Sequence, residues 1–267
     1  MSVLPSFHIA TPDEMPAKGT IALVGAGPGA ADLLTLRAAA RLQTADVIFY
    51  DRLVDPEVLA LAGPRAELVF VGKEVGAHAW PQEQINAVIV AAALRGRNVV
   101  RLKSGDPGIF GRAAEELEAA RMHGIETEIV PGVTAAMAAA ARAGIPLTTR
   151  GETDALVLAT GHARAGDPLP DCARHARPGV ALALYMAVSQ AERITRSLLE
   201  TGMPEDAPLT IAVEVSKPGE RIIIGRLVDL PALLVQHRVK GCAAILASWP
   251  KMAKAGVCEG ATGKALA

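Results

Sequence analysis

The strongest constraint on this chain is a regular alternation of short apolar runs with longer segments of helical period. Runs at 20–25 (TIALVG), 46–51 (DVIFYD), 66–72 (AELVFVG), 98–103 (NVVRLK) and 126–130 (ETEIV) read as buried strands. Segments 32–45, 81–96, 110–122 and 134–143 read as helices, with Asp32 the expected N-cap of the first. Pro81 falls near the first turn of the second helix and Gly96 just beyond its end. Ile85, Val88, Ile89 and Ala92 give that helix one apolar face. Strand–helix–strand units of this length predict a parallel sheet covered on both faces.

The pattern breaks at IPLTTRGETD (145–154), the expected boundary. Beyond it, ALVLATGH and VALALYM read as strands and SQAERITRSLLETG as a helix. LTIAVEV and ERIIIGR flank SKPG as an antiparallel hairpin, and a helix near 227–238 and a strand at 242–248 follow. The expected organisation is a flexible leader (1–18), a first α/β domain (19–150), a second with a mixed sheet (151–250) and a flexible tail (251–267). There is no internal repeat.

Composition narrows the function. Aromatic residues are only 3% of the 267, which disfavours nucleic-acid recognition by stacked bases. Lys and Arg number 27 against 28 Asp and Glu, so any affinity for an anion must come from a local cluster. Cys172, Cys242 and Cys258 lie far apart, without metal-ligand spacing, and read as cytosolic thiols; no metal is expected. The N-terminus lacks the basic-then-apolar pattern of a secretory signal. The longest apolar stretch, Val133 to Ala141, is too short to span a bilayer, so a cytoplasmic protein without a membrane partner is expected.

Three glycine-rich turns each follow a strand of the first domain: GAGPGA (25–30), KSGDPG (103–108) and PGVTAA (131–136). Ligands of open parallel sheets bind beyond the carboxyl ends of strands, where all three turns would lie. Gly25, Gly27 and Ala30 also satisfy a dinucleotide fingerprint, with Asp51 at about the distance for a ribose contact. Against that reading, Pro28 removes an N–H from the turn, and the helix begins late. A tight turn with no ligand is the third reading. In RLKSGDPGIFGR (101–112), Arg101 and Lys103 alternate on a strand that should be buried, and desolvating two cations needs a reason. Asp106 either accepts hydrogen bonds from a ligand or caps the following helix. Asp51 is a candidate base or a strand-end aspartate bonded to its own loop.

The blocks VGAGPGAADLLTLRA, YDRLV, VGK, PQEQIN, RLKSGDPGIFGRAAEE, VPGVTAA, GIPLTTR, TGH and YMAV occur in an order and spacing that resembles the uroporphyrinogen-III C-methyltransferases of the tetrapyrrole methylase family. The likeness covers about residues 20 to 230. It implies two αβα domains with S-adenosylmethionine in a cleft between them, S-adenosylhomocysteine as product, and a homodimer. The implied activity is two methyl transfers to uroporphyrinogen III, through precorrin-1 to precorrin-2. Cofactor contacts then fall at Pro28, Ser104, Gly105, Asp106, Ile109, Thr134, Ala135, Met186 and Val215. Asp51 and Lys73 are the implied acid/base residues. Arg52, Lys73, Arg112, Arg142 and Arg150 are candidates to meet the substrate carboxylates, because Arg–carboxylate pairs are strong and directional.

Departures from the family pattern bear on substrate choice. Ser104 and Gly108 stand where a Gly and usually a Phe occur, Ala30 where an Asp is common, and Thr149 where a His is frequent. The segment after Glu214 is one residue shorter. With about nineteen residues before the first strand, the chain is expected to lack the oxidising, metal-inserting domain fused to this methylase in some sirohaem synthases. Another precorrin methyltransferase, an NAD-dependent oxidoreductase and a non-catalytic adenosyl-ligand module are the alternatives.

Overall fold

A computed structural model describes residues 17–72, 80–163, 166 and 168–251. The chain divides into two compact units between Ala135 and Ala136. The linker expected at 145–154 falls past that point, within the second unit.

In the first unit, β1 (Thr20–Gly25), β2 (Val47–Tyr50), β3 (Glu67–Phe70), β4 (Val99–Lys103) and β5 (Glu126–Val130) form one sheet. Its order is β3-β2-β4-β1-β5, and every pairing is parallel. The helices are α1 (Leu36–Thr44), α2 (Pro56–Leu59), α3 (Gln82–Leu94) and α4 (Ala113–Met122), and α5 (Ala135–Ala143) begins where this unit ends. The two-residue period of the strands sorts their side chains onto two cores. Ile21, Leu23, Val47, Phe49 and Val99 pack with Ile85 and Ile89 of α3 and Ala120 of α4. Ala22, Val24, Ile48, Val100 and Leu102 pack with Ala38 and Leu42 of α1 and Val58 of α2. Burying side chains such as Leu23, Ile48 or Leu102 stabilises the fold by about 1.5–3 kcal/mol each.

In the second unit, β6 (Ala155–Thr160), β7 (Val180–Tyr185), β8 (Pro208–Val213), β9 (Arg221–Arg226) and β10 (Ala243–Trp249) form a sheet of order β6-β7-β10-β8-β9. Only β6–β7 is parallel, so this sheet is mixed. The expected hairpin is β8–β9, but its first strand ends at Val213 and leaves Glu214 and Val215 in the turn. One core unites Leu182, Leu184, Ile211 and Ile245 with Ile194 and Leu198 of α6 (Ala191–Glu200) and Leu230 and Leu234 of α7 (Leu230–Gln236). The molecule is thus α/β, with one parallel and one mixed sheet. Among the described residues no helix is long and apolar enough to cross a membrane.

Three local expectations change. Asp32 lies in a short 3-10 turn, and Thr35 caps α1 by accepting from the amide of Ala38 at 3.1 Å. The helix expected from 110 starts at Ala113, because Phe110 and Arg112 take left-handed φ of 51° and 56°. The unexpected α2 starts where Asp55 caps Glu57 N ahead of Pro56.

Candidate functional site

The three glycine-rich turns converge at the carboxyl ends of β1, β4 and β5, adjacent strands of one sheet. Gly27 N donates to Gly105 O at 3.2 Å and Gly105 N to Gly27 O at 2.6 Å, stitching the first turn to the second. The third is pressed against both: a Cβ on Gly132 would lie 2.3 Å from Gly105 O, and one on Gly25 would lie 2.7 Å from Gly132 Cα. Only glycine permits this approach. Asp106 ties the second turn to the third, its Oδ1 accepting from Gly108 N at 2.7 Å and its Oδ2 from Gly132 N at 3.0 Å. It therefore does not cap α4, whose N-cap is Arg112.

Pro28, Gly105 and Thr134 are buried, and Ser104, Asp106, Ile109 and Ala135 are half-buried on or beside the same three turns. The dinucleotide reading of GAGPGA loses its physical basis here. Ala26 N donates to Lys103 O at 2.7 Å, Gly27 N to Gly105 O, and Pro28 has no N–H, so these amides do not serve a pyrophosphate. A concavity of about 280 Å³ lies at the opposite, amino-terminal ends of β1, β4 and β5. Its cation Arg41 is already engaged by Glu128 at 2.6 Å.

Beneath the KSGDPG turn lies a buried ion cluster. Arg101 and Lys103 share the face of β4 that meets α3 and α4, and they are 4% and 6% exposed. Glu116 of α4, 0% exposed, answers both: its Oε1 accepts from Arg101 Nε at 3.0 Å, and its two oxygens accept from Lys103 Nζ at 2.9 and 2.8 Å. Gln82 Nε2 of α3 donates to Glu116 Oε1 at 3.2 Å. Burial, and then the neighbouring Arg101 charge, push the Lys103 ammonium pKa down, against the pull of Glu116 and Asp51. Glu116 was not singled out from the sequence. Its signal was there: it sits three residues after Ala113 and four before Ala120, on the apolar face of α4.

Asp51, at the end of β2, completes the cluster. Its Oδ1 accepts from Leu53 N at 3.1 Å, and its Oδ2 lies 3.4 Å from Arg101 Nη2. Its side chain is 28% exposed, so the carboxylate keeps a face to solvent. Lys73 lies outside the described residues. Of the expected substrate cations, Arg112 is held by Glu115 at 2.7 and 2.6 Å, and Arg142 by Glu220 at 2.7 Å. The Arg142 guanidinium holds the Glu220 carboxyl below its usual range. Arg52 and Arg150 are exposed, with no ion-pair partner among the described residues.

In the second unit, Met186 follows β7 and Val215 follows β8, strands that both run antiparallel to β10 and so end on the same side. Met186 has φ 52° and is 48% exposed, whereas Val215 is 5% exposed between Glu214 and Ser216, at φ 48° and 57°. Gly161, after the parallel β6, abuts this turn, since a Cβ there would lie 2.7 Å from Ala187 Cα. Of the six non-glycine residues at positive φ among the described residues, five occur in loops that follow β4, β7 and β8.

The profile of the Tetrapyrrole (Corrin/Porphyrin) Methylases matches residues 20–231, and the chain belongs to that family. It is an enzyme family that uses S-adenosylmethionine for C-methylation. The chain is 44% identical over 229 residues to a sirohaem synthase of Gluconacetobacter diazotrophicus, covering 85% of this chain and 49% of that protein. It is 46% identical over 220 residues to sirohaem synthase 2 of Yersinia enterocolitica, covering 82% and 46%. The chain thus spans about half the length of the curated relatives it matches. Among solved structures it is similar to a uroporphyrin-III C-methyltransferase of Thermus thermophilus complexed with S-adenosylhomocysteine, at TM-score 0.73 and 38% identity, covering 86% of this chain and 97% of that one. It is also similar to a cobalt-precorrin-4 methyltransferase of cobalamin biosynthesis, at TM-score 0.76 and 30% identity, covering 86% and 95%.

Proposed function

We propose that this chain methylates uroporphyrinogen III twice, through precorrin-1 to precorrin-2, as a homodimer. The observation that carries the reading is the closure of the three glycine turns into one backbone surface at the strand ends. Gly105 holds φ 70°, which glycine adopts without strain, and its bare Cα leaves the backbone beside Thr134 uncovered, a Cβ there reaching Thr134 Cα at 3.8 Å. That fits a flat adenosyl group lying against backbone. Pro28, Ser104, Gly105, Asp106, Ile109, Thr134 and Ala135 would hold it, and Met186 and Val215 are kept as further proposed cofactor contacts.

When bound, S-adenosylmethionine supplies a methyl already activated by its sulfonium, so the protein's task is to orient an electron-rich pyrrole carbon. Positioning of this kind contributes up to about 7–11 kcal/mol. The solvent-facing side of the Asp51 carboxylate accepts the proton that the macrocycle loses after attack. Lys73 is the second acid/base group of this reading. Arg52 and Arg150 meet acetate and propionate arms with charges that no carboxylate among the described residues neutralises, whereas Arg112 and Arg142 must first loosen Glu115 and Glu220.

The test is anaerobic incubation with S-adenosylmethionine and uroporphyrinogen III, followed by the mass of the tetrapyrrole and sedimentation of the protein. Addition of two methyl groups by a dimer is expected. Unmodified uroporphyrinogen III, alongside methylation of a later precorrin, would support the second reading, which the likeness to the cobalt-precorrin-4 enzyme favours.

A further inference from the structure

We infer that Glu116 is a positioning residue, which acts through Arg101 to hold the Asp51 carboxylate in the orientation a base requires. The inference rests on the reading of Asp51 as the base.

Arg101 bridges the interior and the site. Its Nε donates to Glu116 Oε1 at 3.0 Å, its Nη1 to Leu102 O at 2.9 Å and to Phe49 O at 3.4 Å, and its Nη2 faces Asp51 Oδ2 at 3.4 Å. The guanidinium is therefore anchored on Glu116 and two backbone carbonyls before it reaches Asp51. Glu116 is itself anchored: Lys103 bonds both of its oxygens and Gln82 bonds one. A planar guanidinium held along one edge presents its other edge at a fixed angle. With Oδ1 tied to Leu53 N, Asp51 is then fixed at both oxygens, and its remaining lone pairs keep one direction.

Stability alone gives a poor account of this cluster. Two cations and a carboxylate buried in an aliphatic core pay a desolvation penalty that apolar residues of the same volume would avoid. Arg101, Lys103, Glu116 and Asp51 sum to no net charge, and Asp51 is the one member that reaches solvent. The cluster thus runs from an interior anchor to a single accessible carboxylate, as expected if its output is the orientation of that group.

The experiment is a double-mutant cycle on the full chain, with Asp51→Asn, Glu116→Gln and their combination. It reads kcat, KM for uroporphyrinogen III, calorimetric affinity for S-adenosylhomocysteine, and cooperative unfolding. Glu116→Gln should lower kcat about 10–100-fold, the scale of a small misplacement of a reacting group. KM and the affinity for S-adenosylhomocysteine should hold. In the Asp51→Asn background, Glu116→Gln should add nothing, because the group it positions is gone.

A slow Asp51→Asn enzyme that Glu116→Gln slows further by the same factor overturns the inference alone, as does a full-speed Glu116→Gln enzyme. A full-speed Asp51→Asn enzyme rejects the base reading instead. If Glu116→Gln does not fold, Lys103→Met combined with Glu116→Gln restores the charge balance and takes its place in the cycle. Failure of both to fold assigns Glu116 to stability and overturns the proposal.

Discussion

Glu116 grips Lys103 with both carboxylate oxygens, at 2.9 and 2.8 Å, directly below the turn that carries Ser104, Gly105 and Asp106. Burial nevertheless holds the pKa of Lys103 below its ordinary 10.5. Between that lowered value and 10.5, the unfolded chain keeps a proton that the folded chain has released. Linkage then makes the Lys103 contribution to stability rise with pH across this window and stay flat below it. Denaturant unfolding of wild type and Lys103→Met from neutral pH to about 10.5 should show wild type gaining on the variant in the alkaline range. Parallel curves would mean that Lys103 titrates normally.

Asp106 links two turns through two amide hydrogen bonds, so its loss should act on fold and ligand together. Asp106→Ala should lower the unfolding free energy by about 1.5–3 kcal/mol, the scale of a hydrogen bond to a charged group. S-adenosylhomocysteine affinity should drop with it, because the turns proposed to hold the adenosyl group separate. Calorimetric titration of a cooperatively folded variant is the check, and unchanged affinity would remove Asp106 from the site.

Gly132 tests the convergence of the turns directly. An added Cβ meets Gly105 O, a backbone atom that cannot swing aside. Gly132→Ala should therefore destabilise by about 1–3 kcal/mol or more, as overpacking does. It should also weaken S-adenosylhomocysteine binding. A variant of wild-type Tm and affinity would show that these turns can part without cost.

Arg52 and Arg150 should report on substrate binding. Arg150→Ala should chiefly raise KM for uroporphyrinogen III, by about tenfold or more if one charged hydrogen bond worth roughly 1.5–3 kcal/mol is lost. Arg52→Ala should behave alike, with kcat near wild type in both. Measurement at fixed salt is essential, because screening alters the attraction of a polyanion. A normal KM in both variants would put the carboxylate cradle elsewhere.

Much of the architecture was legible in the sequence because it depends on short-range pattern. Apolar runs of strand length, helical periodicity and glycine at strand ends are local properties, and they specified a parallel sheet, a mixed sheet and glycine turns at carboxyl ends. Family-specific blocks such as RLKSGDPGIFGR and YDRLV did the same for the family. Local capping was less legible: Thr35 displaced Asp32 because a cap is chosen by the geometry of the first turn, which composition does not encode. Which polar groups meet was decided only by the tertiary structure. Asp106 reads from the sequence as a ligand contact or a helix cap, and only the fold removed the cap, by turning its carboxylate to Gly132 N at 3.0 Å. Arg101 and Lys103 posed an unexplained desolvation cost until α4 set Glu116 against β4. Such partners lie on different elements and are joined by long-range packing, so the need for a counter-charge could be read from the chain, but its identity could not.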